Sequence, residues 1–263
     1  MANVNVLVLR AAGVNCDLET VHAFELAGAR AQRVHVNALI ENPAMLADYQ
    51  ILALPGGFSY GDDIAAGKIL ANQLIHHFRR TVQEFIAAGK LVIGICNGFQ
   101  ILVKAGLLPA LADERFKNNG TIQQATITYN DIGKFEDRWV YLEPATDKCV
   151  FLTPGRRIYL PIAHGEGKVC FAHPQMLDAI HAGGQVAFRY VDDEGKYGGY
   201  PINPNGSTDH IAALCDPTGR VLGLMPHPER HVHRTQHPRW TRRPAEADAD
   251  GLGIFQNAVK YFG

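Results

Sequence analysis

Four short β-type runs, Val4–Leu9, Gln32–Val36, Gln50–Leu54 and Lys90–Ile95, alternate with stretches of helical spacing. This alternation restricts the chain more than anything else in its sequence. Val4–Leu9 and the apolar stretch ending at Ile95 lack the polar alternation of a half-wet strand, so they suit a parallel sheet covered on both faces. Leu18, Val21, His22, Glu25 and Leu26 fall at helical spacing ahead of Gly28, and Gly67–Ala88 is helical in pattern with Gly89 as its stop. Strands and helices in this order predict an α/β fold with a mostly parallel central sheet and helices on both faces.

Beyond Gly106 the pattern changes. Thr121–Tyr129 and Arg138–Leu142 are β-type with no helix between them, which predicts a small antiparallel excursion. Further strands are expected at Lys168–Ala172, Val186–Tyr190, Ile211–Leu214 and Val221–Met225, and a final amphipathic helix at Gly253–Tyr261. The stretch from Arg230 to Asp250, rich in Arg and Pro, gives the weakest structural signal. With 263 residues and no repeat, the chain is expected to form one domain over 1–263. A hydrophobic share of 47% excludes a disordered chain. Lys plus Arg total 25 against 26 Asp plus Glu, so neither a nucleic-acid stripe nor a polybasic membrane anchor is expected. No apolar run approaches the roughly 18 residues of a spanning helix, and no charged leader precedes an apolar segment. The five cysteines include no C-x-x-C pair, which fits reduced thiols in the cytoplasm.

The run ending at Ile95 passes directly into Cys96 within Gly94-Ile95-Cys96-Asn97-Gly98, the small-residue spacing of a nucleophile elbow with Cys in place of Ser. A side chain on a sharp strand-to-helix turn needs close backbone approach on both sides, which glycine permits. A helix starting at Asn97 would aim free N–H groups at the sulfur, favouring thiolate, and the Asn97 N–H could hold an oxyanion. A cysteine alone is most simply a packing residue; after a buried strand and between these glycines, Cys96 is a nucleophile candidate.

A thiolate nucleophile needs a base and a group to orient it. Met225-Pro226-His227-Pro228-Glu229-Arg230 follows the last expected strand, so it too lies at a strand's C-terminal end, where sites form in open parallel sheets. Glu229 could fix the tautomer of His227 while the other ring nitrogen moves the proton. Pro55-Gly56-Gly57 ends a third strand, and Gly57 could bring a second N–H to an oxyanion, although as a tight turn it needs no such role.

Cys96 in Gly-Ile-Cys-Asn-Gly-Phe-Gln with a distant His-Pro-Glu resembles the class I, triad-type glutamine amidotransferases. Gly56–Asp62, Phe135–Val140, Pro161–Gly167, Asn203–Ser207 and Met225–Arg230 are similar to the motifs of the glutaminase subunits of phosphoribosylformylglycinamidine synthases, and to the C-terminal glutaminase domain of their single-chain forms. The resemblance runs from Gly13-Val14-Asn15 to Arg230. It implies a flavodoxin-like fold and attack of Cys96 on the side-chain amide of glutamine. His227 would shuttle protons, Glu229 would orient it, and Gly57 and Asn97 would supply oxyanion N–H groups. Gln100 and the loop Asn205-Gly206-Ser207 would hold the amino-acid end of glutamine. The ammonia would pass to a synthetase subunit, in an assembly that admits a small bridging subunit. That partner uses ATP and Mg to activate formylglycinamide ribonucleotide, and this chain would need no cofactor. The absence of a G-x-x-x-x-G-K-[ST] loop fits that division of labour. The tail after Arg230, with His237-Pro238-Arg239-Trp240, is long for a stand-alone subunit and is similar to that of the fused form.

Other features have plainer readings. His227, His231, His233 and His237 are spaced like metal ligands, but the segment is Arg-rich and loop-like and His227 serves better as a base, so no metal is expected. His76-His77 reads as a solvated pair, His164 and Glu166 as members of a Gly-bounded loop, and Cys16, Cys149, Cys170 and Cys215 as packing residues. The rival functions are another Cys-triad hydrolase on a similar sheet, in which a histidine commonly follows the cysteine where Asn97 stands here, and a non-catalytic regulatory module, which has no reason to keep Cys96, His227 and Glu229 together.

Overall fold

The computed structural model of the chain describes residues 4–111, 123–244 and 249–263. It begins with β1 (Asn5–Arg10), α1 (Asp17–Leu26), β2 (Arg30–His35), α2 (Val36–Glu41), β3 (Ile51–Leu54), α3 (Lys68–Gln73), α4 (Arg79–Ala87), β4 (Leu91–Ile95) and α5 (Asn97–Lys104). There follow β5 (Ala125–Tyr129), β6 (Glu136–Pro144), β7 (Ile158–His164), β8 (Glu166–Phe171), α6 (Gln175–Ala182), β9 (Val186–Val191), β10 (Ile211–Cys215), β11 (Val221–Leu224) and α7 (Leu252–Lys260). Thr121 and Ile122, expected to open the strand that became β5, lie outside the described residues.

The α/β class holds, and the sheet explains where a site must form. Nine strands pair in the order β2-β1-β3-β4-β11-β10-β9-β6-β7, with β5 and β8 in a separate pair. Pairings from β2 to β11 are parallel, and those from β11 to β7 antiparallel. The antiparallel excursion is therefore larger than expected and continues the main sheet. β3, β4 and β11 are buried at every residue, as strands covered on both faces must be. Helix α1 packs on α7 through an edge-to-face contact of Phe24 with Phe255, ring centres 4.9 Å apart. No helix among the described residues is long and apolar enough to cross a membrane.

Three local expectations need correction. The helical stretch before Gly89 is broken into α3, a π-turn over Leu74–Phe78, and α4. Its buried residues Leu70, Leu74, Phe78 and Val82 recur every four positions, whereas an α-helix turns every 3.6. Such a stripe drifts by about 40° per step, and one wide turn returns it to the core. Val36, expected to end a strand, starts α2, where His35 Nδ1 accepts the Asn37 N–H. His164 and Glu166 do not share an irregular loop: His164 ends β7, Glu166 begins β8, and Gly165 alone joins them.

The antiparallel half curls back over the parallel half. In a flat sheet, β7 would lie four strand spacings of about 4.8 Å from β11, about 19 Å away. Instead the His227 N–H, three residues past β11, donates to the Pro161 carbonyl of β7 at 2.8 Å. Register shifts between β9 and β10 at Ile211/Ala213 and Ala213/Leu214 supply irregularity of the kind that bends and twists a strand pair. The edge of β7 is also covered. His231 Nδ1 donates to the Tyr159 carbonyl at 2.9 Å, and the Tyr159 N–H donates to Asp250 at 3.0 Å. The segment after Arg230 thus closes an edge that would otherwise template pairing with another chain.

Asp216 holds the turn that returns the chain into β11. Its carboxylate accepts the N–H groups of Thr218, Arg220 and Val221 and the Thr218 hydroxyl, at 2.6–3.2 Å. Replacing Asp216 with Ala should cost about 3 kcal/mol, because several charge-assisted bonds to backbone donors, the buried Val221 N–H among them, vanish together. Urea unfolding should show a lower midpoint with the same slope, and an unchanged midpoint would mean that the turn is held by other means.

Candidate active site

The site is assembled from the C-terminal ends of adjacent parallel strands. At the end of β4, Cys96 has φ 50° and ψ −103°, a left-handed backbone rarely seen in a residue with a Cβ and typically costing about 1–3 kcal/mol. Its N–H donates to the Leu224 carbonyl of β11 at 2.8 Å, and its carbonyl accepts the Gln100 N–H, so the turn is clamped from both sides. The flanking glycines are required sterically. A Cβ on Gly98 would sit 1.9 Å from the Leu54 carbonyl oxygen, and one on Gly94 would sit 2.6 Å from that of Gly98. The sharp strand-to-helix turn expected from the sequence is therefore present, with Cys96 at its apex.

His227 reaches the same place from β11. Its Nδ1–H donates to Glu229 Oε1 at 2.6 Å, both side chains are buried, and no other group among the described residues hydrogen-bonds to Nε2. Burial alone would lower the imidazole's pKa. The Glu229 carboxylate, followed by the sulfurs of Cys96 and Cys16, outweighs it and holds His227 well above its ordinary value. With Nδ1 committed to Glu229, Nε2 is the ring nitrogen with no hydrogen bond among the described residues.

Gly57, Cys96, Gln100, Ala163, His164 and Glu166 line a cavity of about 150 Å³, with Phe58, Tyr129 and Phe135 at its exposed rim. Its volume is well below the roughly 300–1,000 Å³ of drug-sized pockets and suits one amino acid. Gly57 has φ 142°, and a Cβ there would lie 2.7 Å from the Asn15 nitrogen and the Gly13 oxygen. The Phe58 N–H donates to Gly13 and the Cys16 N–H to Gly56, which lace the loops after β1 and β3 together. Asn97 opens α5, where the first N–H groups have no intrahelical acceptor. Its side chain accepts the Ser59 N–H at 3.3 Å and donates to Asp62 and Gln100, so it also fixes the Gly57 loop against the elbow.

The remaining expected substrate contacts are placed differently. Gln100 lines the cavity, but its Oε1 accepts from Asn97 at 2.9 Å and its Nε2 donates to the Glu166 carbonyl at 2.6 Å. Asn205 and Ser207 are buried behind the cavity rather than lining it. Asn205 Nδ2 donates to the Gly167 carbonyl at 2.9 Å, and Ser207 Oγ accepts the Val169 N–H at 3.0 Å. In Gly206, φ is 78° and the N–H donates to Asn203 Oδ1. This loop braces the start of β8, so its link to the cavity is through the backbone that it supports.

Two residues near the site do more than their sequence context suggests. Cys16 is not mere packing. Arg230 Nη2 donates to its sulfur at 3.1 Å, Arg230 Nε pairs with Glu19 at 2.9 Å, and the thiol interacts with His227. Burial pushes the Cys16 thiol up, which keeps it protonated beside the His227–Glu229 pair. The available signal was position, since Gly13–Cys16 follows β1 as Pro55–Gly57 follows β3. His164 is the second. Its Nδ1–H donates to Asn130 Oδ1 at 3.1 Å, the same oxygen accepts the Gly167 N–H, and Asn130 Nδ2 donates to the His164 and Lys134 carbonyls. Burial, with the nearby charge of His227, brings His164 down to about 3.

Among the described residues, Cys16, His227 and Glu229 are the one group of potential metal ligands, their atoms within 4.8 Å of one another. The Arg230 guanidinium on Cys16 opposes a cation there, and two of the three belong to the His–Glu pair. The other histidines of the spacing are committed elsewhere: His231 and His237 pack on Trp139, and His233 faces His22 at 2.8 Å.

Residues 3–262 match a family of proteins described as the CobB/CobQ-like glutamine amidotransferase domain. The phosphoribosylformylglycinamidine synthase subunit PurQ of Dehalococcoides mccartyi is 45% identical over 99% of this chain and 98% of its own. The same subunit of Methanococcus maripaludis is 39% identical over 98% of this chain and 97% of its own. Among solved structures, PurLQS from Thermotoga maritima superposes with a TM-score of 0.74 at 30% identity, covering all of both chains. A glutamine amidotransferase from Thermotoga maritima, TM-score 0.54 at 17% identity, shares the fold over 99% of this chain and 98% of its own.

The environment of His164 sets a pH dependence. In the folded protein it stays neutral down to about pH 3, whereas unfolded it titrates near 6.5. Only the unfolded chain binds that proton between these values. Stability should therefore fall as pH drops below 6.5, by up to about 1.4 kcal/mol per pH unit from this residue, and this contribution should be flat above 6.5. In His164→Asn, the slope of unfolding free energy over about pH 4 to 6 should be shallower by nearly one proton. Equal slopes would show that His164 is not held neutral.

Proposed function

The chain belongs to the CobB/CobQ-like glutamine amidotransferase family, and on that premise we propose that Cys96 is its nucleophile, His227 its proton carrier and Glu229 the group that orients His227. The chain hydrolyses glutamine as a subunit of a phosphoribosylformylglycinamidine synthase, and the ammonia converts formylglycinamide ribonucleotide to its amidine in purine biosynthesis. Its partner is a synthetase subunit. The observation that carries the catalytic reading is the convergence of the Cys96 elbow with the buried 2.6 Å His227–Glu229 pair at one end of the sheet.

The Cys96 thiolate attacks the side-chain carbonyl carbon of glutamine. The oxygen gains charge between the Gly57 and Asn97 N–H groups, each such donor being worth about 3–4 kcal/mol in the transition state. His227, protonated beside Glu229, gives its Nε2 proton to the departing nitrogen as the C–N bond breaks, leaving ammonia and a glutamyl thioester. Water then adds to the thioester, His227 takes its proton, and the C–S bond breaks to release glutamate and restore the thiolate. No cofactor enters these steps; ATP and Mg act on the ribonucleotide in the partner. Exposed Phe58, Ile64, Tyr129 and Phe135, at 47%, 71%, 71% and 53%, lie at or near the cavity mouth and suit a partner face that excludes water and retains ammonia. A small bridging protein in the assembly and residence in the cytoplasm complete the reading, the latter supported by five free cysteines.

A glutamine-mimicking electrophile should modify Cys96 and spare Cys149 and Cys215; equal labelling of these in the folded protein would sink the assignment. Cys96→Ser should fold normally and lose glutamine hydrolysis, since an alcohol is far less ionised than a thiol. His227→Ala should lower kcat/KM by about 10²–10⁴-fold, Glu229→Ala by less, and the double variant by much less than the product. Full multiplicativity would place Glu229 at another site. Glutamine hydrolysis by the isolated chain should be slow and should rise when the synthetase, its ribonucleotide and ATP are added, with the Gly56-Gly57 loop as the gate. Full activity of the chain alone, unchanged on adding them, would remove the gate and leave the chemistry intact.

A further inference from the structure

We propose that the cavity between β7 and the arginine-bearing segment after it is a second binding site, for a small phosphate-bearing ligand of nucleotide type. This cavity has a volume of about 500 Å³, against about 150 Å³ for the one at Cys96, and the two share no lining residue. Arg157, Arg239, Arg242 and Arg243 line it together with Tyr141 and Tyr159. Net charge over the whole chain is −1, so four guanidiniums around one cavity are a strong local concentration.

The partners of these arginines separate structural from available charge. Arg157 pairs with Glu143 at 3.3 Å and donates to the Asp193 carbonyl at 2.6 Å. Arg239, Arg242 and Arg243 have no carboxylate within ion-pair distance among the described residues. Among the described residues, Asp250 is the only acid lining the cavity, and it is already engaged by Arg156 at 3.4 Å and the Tyr159 N–H at 3.0 Å.

The loop that presents the free arginines is built around Arg234. This residue donates to the carbonyls of Trp240, Arg243 and Pro244 at 3.0–3.1 Å and lies over the Trp240 ring. One guanidinium thus consumes the loop's carbonyls, while among the described residues Arg239, Arg242 and Arg243 have no side-chain hydrogen bond or ion pair. Planar forks of N–H groups match phosphate oxygens. The lining is also aromatic, with Tyr141 and Tyr159 ring centres 4.3 Å apart and His237 5.4 Å from Tyr159. A phosphate among the arginines and a planar base against the tyrosines would use both kinds of lining group, and the volume falls in the roughly 300–1,000 Å³ range of small-ligand sites. The site uses the segment after Arg230 that the glutaminase chemistry leaves idle.

Calorimetric titration of the full-length chain with ADP, inorganic pyrophosphate and adenosine tests this. ADP should bind saturably and more weakly as salt is raised, pyrophosphate should compete with it, and adenosine alone should bind far more weakly. The triple variant Arg239→Gln/Arg242→Gln/Arg243→Gln should lower ADP affinity at least about tenfold while Cys96 labels at the wild-type rate, which reports an intact fold. Absence of saturable ADP binding, or ADP binding that the triple variant leaves unchanged, overturns the proposal. So does a triple variant whose one defect is weaker association with the synthetase, which would make the patch a contact for an acidic protein face.

Discussion

The hydrogen bond from the His227 N–H to the Pro161 carbonyl ties together two regions that the sheet order separates. One is the parallel half, which ends in the elbow. The other is the antiparallel half, whose edge strand β7 must curl back to reach it. Without that curl, His227 would leave β11 into solvent and Ala163 and His164 would lie far from Cys96. With it, the elbow, the His–Glu pair and one wall of the cavity meet in a small buried volume. The short parallel strands hold Cys96 rigidly, and the antiparallel strands supply Ala163 and His164 to the cavity wall.

Two buried histidines beside this cavity are held in opposite charge states. His227 is raised because a carboxylate and two sulfurs outweigh its burial, whereas His164 is lowered because burial prevails and Nδ1–H meets only the neutral Asn130 amide. Each raises the cost of charging the other, so one carries the proton and the other stays neutral. Asn130 also receives the Gly167 N–H, and a Cβ on Gly167 would come within 2.2 Å of the His164 ring, so β8 and the histidine are packed as one unit. The Asn205–Ser207 loop supports the same stretch from behind.

The parts of this site that the sequence discloses are those whose chemistry is local. Gly94-Ile95-Cys96-Asn97-Gly98 announces a close strand–helix crossing because only glycine tolerates a carbonyl at the distance seen between Gly98 and Leu54. His227 and Glu229 are two residues apart, so their pairing also needs no knowledge of the rest of the fold. Cys16, His164 and the brace from Asn205 and Ser207 stayed hidden because their partners are distant: Arg230 lies 214 positions beyond Cys16, and Asn130 lies 34 before His164. Strand β7 escapes a reading of the sequence because Pro161 and the surrounding glycines punctuate it like a loop. Its order comes from pairing with β6 and from the tail that covers its edge. Arg230–Asp250 looks irregular for a related reason, since its few apolar residues are replaced by hydrogen bonds to β7 and around Arg234.

In the proposed chemistry, Cys96 forms a covalent glutamyl intermediate that water resolves with the help of His227. Acid quenching of the chain during turnover with glutamine, in complex with its synthetase partner, followed by intact-mass and peptide analysis, tests it most directly. A glutamyl adduct is expected on the peptide carrying Cys96, absent from Cys96→Ser and more abundant in a variant such as Glu229→Gln in which hydrolysis of the thioester is slowed. An adduct on Cys16 instead, or steady glutamine hydrolysis by Cys96→Ser without any adduct, would contradict it.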